Sequence, residues 1–432
     1  MSNKQNTKKA DQSYWGIVRR QFGKNKLAVY SLRVVYVIFF VGILADFFAN
    51  EKPLYCKLNG ETYFPVFREY AVELGVAKMP AELINVDWLN ANYDAVVRAP
   101  IPYSPLTGDF DNAYASPVKK QDVRSWRFRH FLGTDQLGHD LLSGMIHGTR
   151  IAMLVGIVSM GIASIIGILL GSIAGYFGDE RLQMSRARLY LNLVFLFFAW
   201  FYAFNTRNYV ISDALADSFG SFCYQMIVSI LIFAAIMGIP NLLLTPLLRK
   251  SSVLGKRVTI PIDIIISRTI EILNSVPILL LILSICAVVK KPSIMLIMVI
   301  IGMTSWTGIA SYIRAELLKV RSLEYIEAAQ SLGYSEWRIM IRHAIPNSLT
   351  SVLITIAFGV ASAILTESSL SFLGIGVQAD VITWGKLLNE ARADVSGWWF
   401  AVFPGLAIFI TVTVFNLLGE GLTDAMDPRL KQ

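Results

Sequence analysis

The sequence contains few charged residues and few cysteines for its length. Only 16% of its 432 residues are charged, whereas 54% are hydrophobic. Its three cysteines, Cys56, Cys223 and Cys286, are far apart and form no C-x-x-C pair, which argues against a disulfide framework or a thiolate metal site. Because the apolar residues are grouped into long blocks, we expect a polytopic membrane protein.

Motifs of common nucleotide-binding and catalytic sites are also missing. The sequence contains no G-x-x-x-x-G-K-[ST], so we expect that the chain does not hydrolyse ATP by itself. Its four histidines form no H-E-x-x-H or comparable ligand set, and no G-x-S-x-G is present. We therefore predict no catalytic residue, no metal and no cofactor on this chain, and an intramembrane enzyme is the weakest function class.

The basic residues are distributed in a way that argues against nucleic acid binding, although the net charge is +8. They cluster beside the ends of apolar segments, as the positive-inside rule requires for orientation in a membrane. The amino-terminal segment is basic and holds no apolar run. We therefore expect no nucleic acid partner, no cleaved signal peptide, and a first apolar segment that stays as an anchor.

Eight segments are apolar over roughly the 20 residues that a helix needs to cross a hydrocarbon core of about 30 Å. They are residues 28–48, 151–177, 189–204, 222–248, 260–289, 293–313, 349–366 and 400–418. Loops rich in lysine and arginine alternate with poorer ones. This alternation predicts that both termini and the loop at 314–347 face the cytoplasm.

These segments divide the chain into six regions. The regions are a cytoplasmic amino-terminal segment (1–27), a first transmembrane helix (28–48), an extracytoplasmic loop or cap (49–149), a second transmembrane helix (150–177), an inserted region with two further apolar segments (178–258) and a core with a cytoplasmic loop (259–432). In the outer region, aromatic residues alternate with prolines, which predicts a small folded cap with irregular backbone. A lid packed on the helices and a docking surface for an external partner both remain open.

The predicted cytoplasmic loop has signals for two helices. Ser322 can cap a helix that runs to Leu332, and Gly333 suits a turn with positive φ just after that helix. Ser335 can cap a second helix, which Pro346 would end. The residues thus predict a helix, a glycine hinge and another helix. From these features alone, an interfacial helix pair on the inner leaflet and a surface that fits a groove on a soluble partner both remain open.

The same loop resembles the EAA loop through which permease subunits of bacterial ABC importers engage their ATPase subunits. The residues that carry this resemblance are Glu327, Ala328, Ala329, Gly333, His343, Ala344, Ile345 and Pro346. Ile345 stands where the family usually has Leu, which is a volume-conserving exchange. The resemblance implies that this loop couples the chain to an ATPase.

Further stretches resemble the dipeptide, oligopeptide and nickel permease family. Residues 131–143 are similar to its LGTD-x-LGRD-x-LS signature, with His139 in place of Arg, and the matching positions are Gly133, Thr134, Asp135, Leu137, Gly138 and Asp140. Residues 263–277 are similar to its D-x4-R-x2-D-IL-x3-P pattern, with Glu271 for the second Asp. Residues 367–378, 384–385, 416–422 and 427–429 resemble the closing motifs of its C-type subunit.

Together, these matches imply a C-type permease subunit with the type I permease fold of ABC importers. The implied fold class is an all-α, polytopic helical bundle with an extended extracytoplasmic loop and an inserted helical hairpin. The implied partners are a homologous second permease, two ATP-binding subunits that hold ATP and Mg, an extracytoplasmic substrate-binding protein and membrane lipid. The implied location is the bacterial inner membrane, and the cargo stays open among peptides, a nickel chelate and another small solute.

The region at 178–258 departs from the family pattern, because the family moves almost directly to the next span there. Two extra crossings return the chain to the same side of the membrane, so the EAA-like loop keeps its predicted side. We therefore predict an eight-span relative of a six-span family.

The fifth apolar segment carries charged and polar residues that bear on function. Asp263, Arg268 and Glu271 lie within it, and Arg268 and Glu271 can pair across one turn. A role in the transport path and a structural, self-neutralising pair both remain open. A secondary transporter or channel that uses these charges is the alternative function, although no internal repeat is apparent.

Four other residues are candidates for the translocation pathway. Asn274, Ser275 and Pro277 predict a polar kink, where freed backbone carbonyls could line a pathway and where helix packing is an equal alternative. Glu367, at the outer end of the seventh segment, either rims the exit of a cavity or caps the turn that follows. The identity of the substrate and the residues that contact it are not predicted.

Overall fold

The computed structural model describes residues 14–58, 60–73, 75–84, 86–289, 293–376, 378, 380–392 and 396–426. Helices make up most of these residues, which confirms the predicted class of a polytopic helical bundle. The closing motif at Asp427, Pro428 and Arg429 lies outside the described residues. The described chain forms two compact units: the first contains residues up to 160, 283–289 and 354 onward, and the second contains 161–282 and 293–353.

The first part of the chain alternates helices with a small sheet. In order, its elements are α1 (Tyr14–Phe22), α2 (Lys26–Ile43), α3 (Ala45–Phe48), β1 (Tyr55–Leu58), β2 (Glu61–Tyr63), α4 (Pro65–Glu73), β3 (Ala95–Val97) and α5 (Leu141–Phe177). One 3₁₀ turn (Ala81–Leu83) lies between α4 and β3. Two more (Phe110–Asn112 and Trp126–Phe128) lie between β3 and α5.

The remaining elements are almost all helical. They are β4 (Gln183–Ser185), α6 (Arg186–Trp200) with a π-helical turn (Phe201–Asn205), α7 (Asn208–Asp217), α8 (Phe219–Leu248), β5 (Arg257–Thr259), α9 (Ile262–Ser275), α10 (Ile278–Val288), α11 (Ile294–Val320), α12 (Glu324–Ser331), α13 (Glu336–Ile339) with a π-helical turn (Met340–Ala344), α14 (Ile345–Phe372), α15 (Trp384–Glu390) and α16 (Trp398–Met426).

Seven of the eight predicted apolar segments correspond to single helices of membrane-spanning length, and the fifth corresponds to the bent pair α9 and α10. Among the described residues, seven helices are long and apolar enough to cross a membrane, and the bent pair α9 and α10 would make an eighth span. The helix that contains the second predicted span begins before that span, at Leu141, so α5 includes the last residues of the region predicted as the outer loop (49–149). Hydropathy missed the first turns of α5 because they carry polar side chains such as His147 and Arg150.

The predicted polar kink is a sharp break between α9 and α10, which meet at 82°. Val276, between the two helices, has an extended backbone with φ −95° and ψ 127°. A residue that precedes proline avoids the helical region, and Pro277 cannot donate a backbone hydrogen bond. The break therefore follows directly from the sequence at 276–277.

The region after α3 contains a folded three-stranded sheet, which an all-α description leaves out. The strand order is β2-β1-β3, both pairs are antiparallel, and Cys56 lies opposite Tyr63 on one side and Val96 on the other. Cys56, Leu83 and Trp88 form its buried core. The sequence predicted a folded cap here but gave no signal strong enough to place the short strands.

In the first unit, α16 packs along α2 and the amino-terminal half of α5. The buried cluster includes Val35, Ala152, Ile364, Ile408 and Phe415. Close packing of small and large apolar side chains holds these helices against one another.

In the second unit, the carboxyl-terminal half of α5 lies against α11 at very short range. A Cβ atom at Gly167 would lie 2.8 Å from Ile309 Cβ, and one at Gly175 would lie 2.6 Å from the Arg314 carbonyl oxygen. Gly171, between them, is equally crowded by Ala310. Glycines four residues apart on one helix face let two membrane helices approach closely.

The inserted region forms an antiparallel helical hairpin. The strands β4 and β5 pair at its base, so the chain leaves and re-enters the core at neighbouring points. Within the hairpin, Asn241 Nδ2 donates to Asn192 Oδ1 at 2.7 Å, which joins α8 to α6. Hydrogen bonds of this kind stabilise helix pairs in an apolar environment.

Candidate functional site

The EAA-like loop folds as two short helices separated by a glycine turn. Gly333 has φ +81°, which confirms the predicted hinge conformation. The predicted cap at Ser322 is wrong: its hydroxyl donates to the Lys319 carbonyl at the end of α11, and Leu323 occupies the N-cap position of α12. Ser335 precedes α13 as predicted, although its side chain makes no capping hydrogen bond.

Pro346 does not end the second helix, contrary to the sequence-based prediction. The chain passes from α13 through the π-helical turn at Met340–Ala344 and continues into α14, with Pro346 in the first turn. A π turn changes the hydrogen-bond partners by one residue, and proline is tolerated where its missing N–H is not needed. The loop is therefore continuous with a membrane-spanning helix.

The two helices of the loop bury one face and expose the other. The buried residues are Ile326, Ile339, Met340 and Ala344. Of the predicted coupling residues, Glu327, Ala328, Gly333 and Pro346 are exposed, whereas Ala329 and Ile345 are half-buried. Four of the six predicted coupling residues thus face outward. The buried residues between them pack the loop against the rest of the chain.

Large apolar side chains are exposed beside these residues. Leu332 is 75% exposed, Ile341 is 61% exposed and Trp337 is 49% exposed. Apolar groups that cluster on a loop surface typically mark an interaction site. The carboxylate of Glu327 is exposed on the same loop and can give a partner a charge to recognise in addition to these apolar groups.

The loop is attached to the end of α5 by contacts that sequence analysis missed. The hydroxyl of Tyr176 donates to Glu336 Oε2 at 2.7 Å, and Gln330 Nε2 lies 3.3 Å from the same oxygen. The rings of Phe177 and Trp337 lie 4.9 Å apart. No sequence pattern links residues so distant along the chain, so only the fold reveals this attachment.

The motif before the second span forms a compact turn at the start of α5. Gly133 and Gly138 have φ +88° and +79°, values that other residues rarely adopt. Asp140 is buried, and its Oδ2 accepts from the Ser143 N–H at 2.7 Å, so it caps α5. Thr134, also buried, accepts from the Ala115 N–H at 2.8 Å.

Asp135 and Leu137, the other two motif residues, lie at the surface of this turn. Asp135 Oδ1 accepts from the backbone N–H groups of Leu137 and His139, each at 2.8 Å. His139 Nδ1 lies 2.6 Å from Asp135 Oδ2, so the histidine that replaces the usual Arg still pairs with this carboxylate. These contacts give the motif an architectural role.

A buried imidazole joins this turn to the outer cap. His130 Nδ1 lies 2.9 Å from Asp140 Oδ1, and its Nε2 lies 3.2 Å from Asp109 Oδ2. The ring stacks on Tyr103 with 4.3 Å between centroids. Burial opposes protonation, but the hydrogen bonds and charges of Asp140 and Asp109 outweigh it and raise the pKa of His130. Sequence analysis noted this histidine but assigned it no role.

The charged residues of α9 are paired, and one pair was not predicted. Arg268 Nη1 lies 2.5 Å from Glu271 Oε2, which confirms the predicted contact across one turn. Asp263 pairs instead with Arg314 of α11, whose Nη2 donates to Asp263 Oδ2 at 2.7 Å. Arg268 and Glu271 remain 71% and 59% exposed on this chain, so the surface that surrounds them is open to a partner or to a pathway.

The pathway candidates differ in exposure. Asn274, Ser275 and Pro277 are all exposed at the break between α9 and α10. Glu367 is only 1% exposed, and its Oε1 accepts from the Ser371 hydroxyl at 2.5 Å. Both roles considered for Glu367, the rim of a cavity and the cap of the following turn, stay predictions, as does the pathway role of the other three.

Two known protein families match the sequence. The family of the inner membrane component of binding-protein-dependent transport systems matches residues 251–432. The N-terminal transmembrane domain of oligopeptide transport permease C matches residues 13–64. The second match includes the first apolar segment, where the sequence analysis identified no family motif.

Several proteins of named transport systems are similar to the chain. The glutathione transport system permease protein GsiD of Pectobacterium atrosepticum is 30% identical over 303 residues, 70% of this chain and 73% of the relative. The inner membrane ABC transporter permease protein YejE of Escherichia coli is 25% identical over 424 residues, 97% of each chain. The dipeptide transport system permease protein DppC of Bacillus subtilis is 27% identical over 305 residues, 70% of each chain. These similarities do not favour a secondary transporter or channel.

Proposed function

Because this chain belongs to the family of inner membrane components of binding-protein-dependent transport systems, we propose that the exposed face of α12 and the following turn couples it to separate ATPase subunits. The chain is a multi-pass inner membrane permease of an ABC importer. The proposed coupling surface is centred on Glu327, Ala328 and Gly333.

One observation carries this proposal: the loop exposes residues of the EAA-like motif on one face and packs against its own chain with the other. Glu327 and Ala328 face outward, while Ile326 is fully buried. Glu336 on the same loop binds Tyr176 at the end of α5. A force applied to the exposed face would therefore be transmitted to α5 and, through the π-helical turn, to α14.

We propose that ATP and Mg bind to two partner subunits and not to this chain. The sequence contains no G-x-x-x-x-G-K-[ST]. Closure of the two ATPases around ATP would move both coupling loops of a permease pair, and rigid-body rotation of the helices would change the side to which the pathway opens. The bias comes from the higher affinity of ATP for the closed ATPase dimer.

The assembly proposed here includes a homologous second permease and an extracytoplasmic substrate-binding protein. Both termini and the coupling loop would face the cytoplasm, because the short loops on that side hold more lysine and arginine residues than the short loops on the other side. The cargo would be a peptide-class solute, since two of the similar permeases belong to systems named for glutathione and dipeptides. A nickel chelate is the less supported cargo.

Co-purification with the ATPase subunits tests the coupling surface. Glu327→Lys should weaken their association by about tenfold or more, because a misplaced charge in an interface costs several kcal/mol. Gly333→Val should also weaken it, because a β-branched residue at φ +81° costs about 1–2 kcal/mol and distorts the hinge. Both variants should still insert into the membrane.

Two matched variants serve as controls. Glu180→Lys makes the same charge change at an exposed position after α5, outside the coupling surface. Gly60→Val makes the same backbone substitution at φ +85° in the outer sheet, where a Cβ atom also meets no neighbour within 4 Å. Unchanged ATPase association in both Glu327→Lys and Gly333→Val would refute the proposal.

A further inference from the structure

The inserted hairpin contains an open groove that neither the coupling loop nor the family motifs involve. It lies between α6 and α8 and has a volume of about 620 Å³. The residues lining it that matter here are Arg188, Asn192, Gly238, Asn241, Thr245 and Arg249. The hairpin otherwise faces away from the chain, since only 17% of the α6 span and 6% of the α8 span are buried.

Two guanidinium groups lie at one end of this groove. Arg188 is in the first turn of α6 and Arg249 follows the last residue of α8, so the antiparallel arrangement brings both to the same end of the hairpin. In the part of the chain that the structure describes, neither guanidinium has an ion pair or a side-chain hydrogen bond, and no carboxylate lines the groove. Two unpaired arginines at the end of membrane helices form a site for a phosphate group.

Polarity along the groove changes in the order of the parts of a phospholipid. Next to the arginines lie polar side chains that bond to one another: Thr245 Oγ1 lies 3.2 Å from Asn241 Oδ1, and Asn241 Nδ2 donates to Asn192. Leu242 and Pro246 also line this part of the groove, and farther from the arginines the lining has no polar side chain, with Ala234, Met237 and Gly238. This order matches a phosphate, then the glycerol esters, then an acyl chain.

The length of the groove fits a lipid rather than a free ion. From Arg249 back to Ala234, α8 rises about 22 Å at 1.5 Å per residue. Half of a hydrocarbon core is about 15 Å thick, so the groove can follow an acyl chain through one leaflet and still reach the headgroup. Gly238 leaves the groove open, because a Cβ atom there would meet nothing within 4 Å.

We propose that this groove binds one anionic phospholipid, with its phosphate held by Arg188 and Arg249 and one acyl chain lying along α6 and α8 past Gly238. Basic pockets between membrane helices on the positively charged side are known to bind anionic headgroups. The bound lipid would come from the leaflet that surrounds the basic end of the hairpin. This site is independent of the proposed coupling surface.

The test measures lipid retained by the full chain in phosphatidylcholine nanodiscs that contain a minor fraction of phosphatidylglycerol. Native mass spectrometry should find one phosphatidylglycerol held per chain. Arg188→Gln and Arg249→Gln should each weaken retention about fivefold, since one basic residue contributes about 1 kcal/mol to binding an anionic lipid. Arg257→Gln, an equal charge change on the exposed strand β5 outside the groove, should leave retention unchanged.

A second variant tests the acyl-chain part of the site without altering charge. Gly238→Leu should fill the groove and displace the lipid, whereas Gly220→Leu, at a position that is equally free of neighbours at the start of α8, should not. Equal loss from Arg257→Gln and Arg188→Gln would show unspecific attraction and overturn the proposal. Retention unaffected by Gly238→Leu, or displacement of the lipid by inorganic phosphate, would overturn it as well, because the groove would then not be needed.

Discussion

At the scale of single residues, His130 is held by polar contacts on both sides of its ring. It is fully buried and lies between two carboxylates, Asp109 and Asp140. An imidazolium in this position donates a hydrogen bond from each ring nitrogen, so its charge is compensated on both sides. The contact between the cap and the start of α5 therefore depends on the protonation of His130.

This arrangement predicts a pH-dependent stability of the outer cap. The pKa of His130 is raised in the folded chain, so its stabilising contribution is complete below the unfolded value of about 6.5 and is lost as the pH rises through the folded value. Hydrogen exchange of residues 109–143, corrected for its intrinsic pH dependence, should show less protection as the pH rises. His130→Ala should cost about 3–5 kcal/mol at low pH, because it leaves a buried carboxylate unpaired.

His130→Gln is the informative control for this prediction. Its side chain can still hydrogen bond but cannot titrate, so protection should be lower than in the unchanged chain at low pH and should vary little with pH. A pH dependence that persists in His130→Gln would mean that another group is responsible.

Single residues also mark the limit of what the sequence could predict. The positive φ of Gly333 followed from its place after a helix, and the contact between Arg268 and Glu271 followed from helical spacing. The pairing of Asp263 with Arg314 did not, because these residues come from different helices. Local rules reach contacts within one turn, whereas contacts between helices depend on how the helices pack.

At the scale of elements, the coupling loop is stabilised by the helix that lies behind it. The glycines of α5 at 167, 171 and 175 bring α11 close, and Tyr176 and Phe177 at the end of α5 then contact Glu336 and Trp337. The loop, the carboxyl-terminal half of α5 and α11 thus form one packed group in the second unit. We expect them to move together.

Removing the hydrogen bond between Tyr176 and Glu336 should lower transport relative to ATPase activity. Tyr176→Phe deletes the hydroxyl that donates to Glu336 but leaves the exposed coupling surface intact. Because Glu336 is 43% exposed, water screens part of the loss, and we expect the solute transported per ATP hydrolysed to fall about three- to tenfold. Paired measurements of ATPase activity and solute uptake in proteoliposomes give this ratio.

Tyr190→Phe provides the matching control, because that tyrosine is 55% exposed on α6. It should leave the ratio of transport to hydrolysis unchanged. An unchanged ratio in Tyr176→Phe, with normal ATPase binding, would mean that this contact does not transmit the movement.

Elements also show where sequence patterns were misleading. The helix, hinge and helix of the coupling loop were predicted correctly, but Pro346 was expected to end the second helix. The π-helical turn at Met340–Ala344 carries the chain on into α14 instead. Such a turn leaves no distinctive mark in the sequence, since it depends on hydrogen bonds shifted by one residue.

At the scale of the whole molecule, apolar length and charge distribution were enough to predict the class of protein. Seven of the eight predicted segments are single helices long and apolar enough to span a membrane, including both helices of the inserted hairpin, and the fifth is a bent helix pair. The short strands of the cap and the groove of the hairpin could not be predicted, because they depend on pairings between distant segments. The relative from Escherichia coli aligns over 97% of each chain, so it has room for the cap and the hairpin as well.

Cross-linking from the coupling surface tests the central claim most directly. In a chain whose own cysteines are replaced, Ala328→Cys should form a cross-link to an ATPase subunit in membranes, and the link should block transport. Val118→Cys, 78% exposed on the outer cap, should form none. An Ala328→Cys chain that reacts with an impermeant reagent from outside, or that forms no product with any ATPase subunit, would contradict the account.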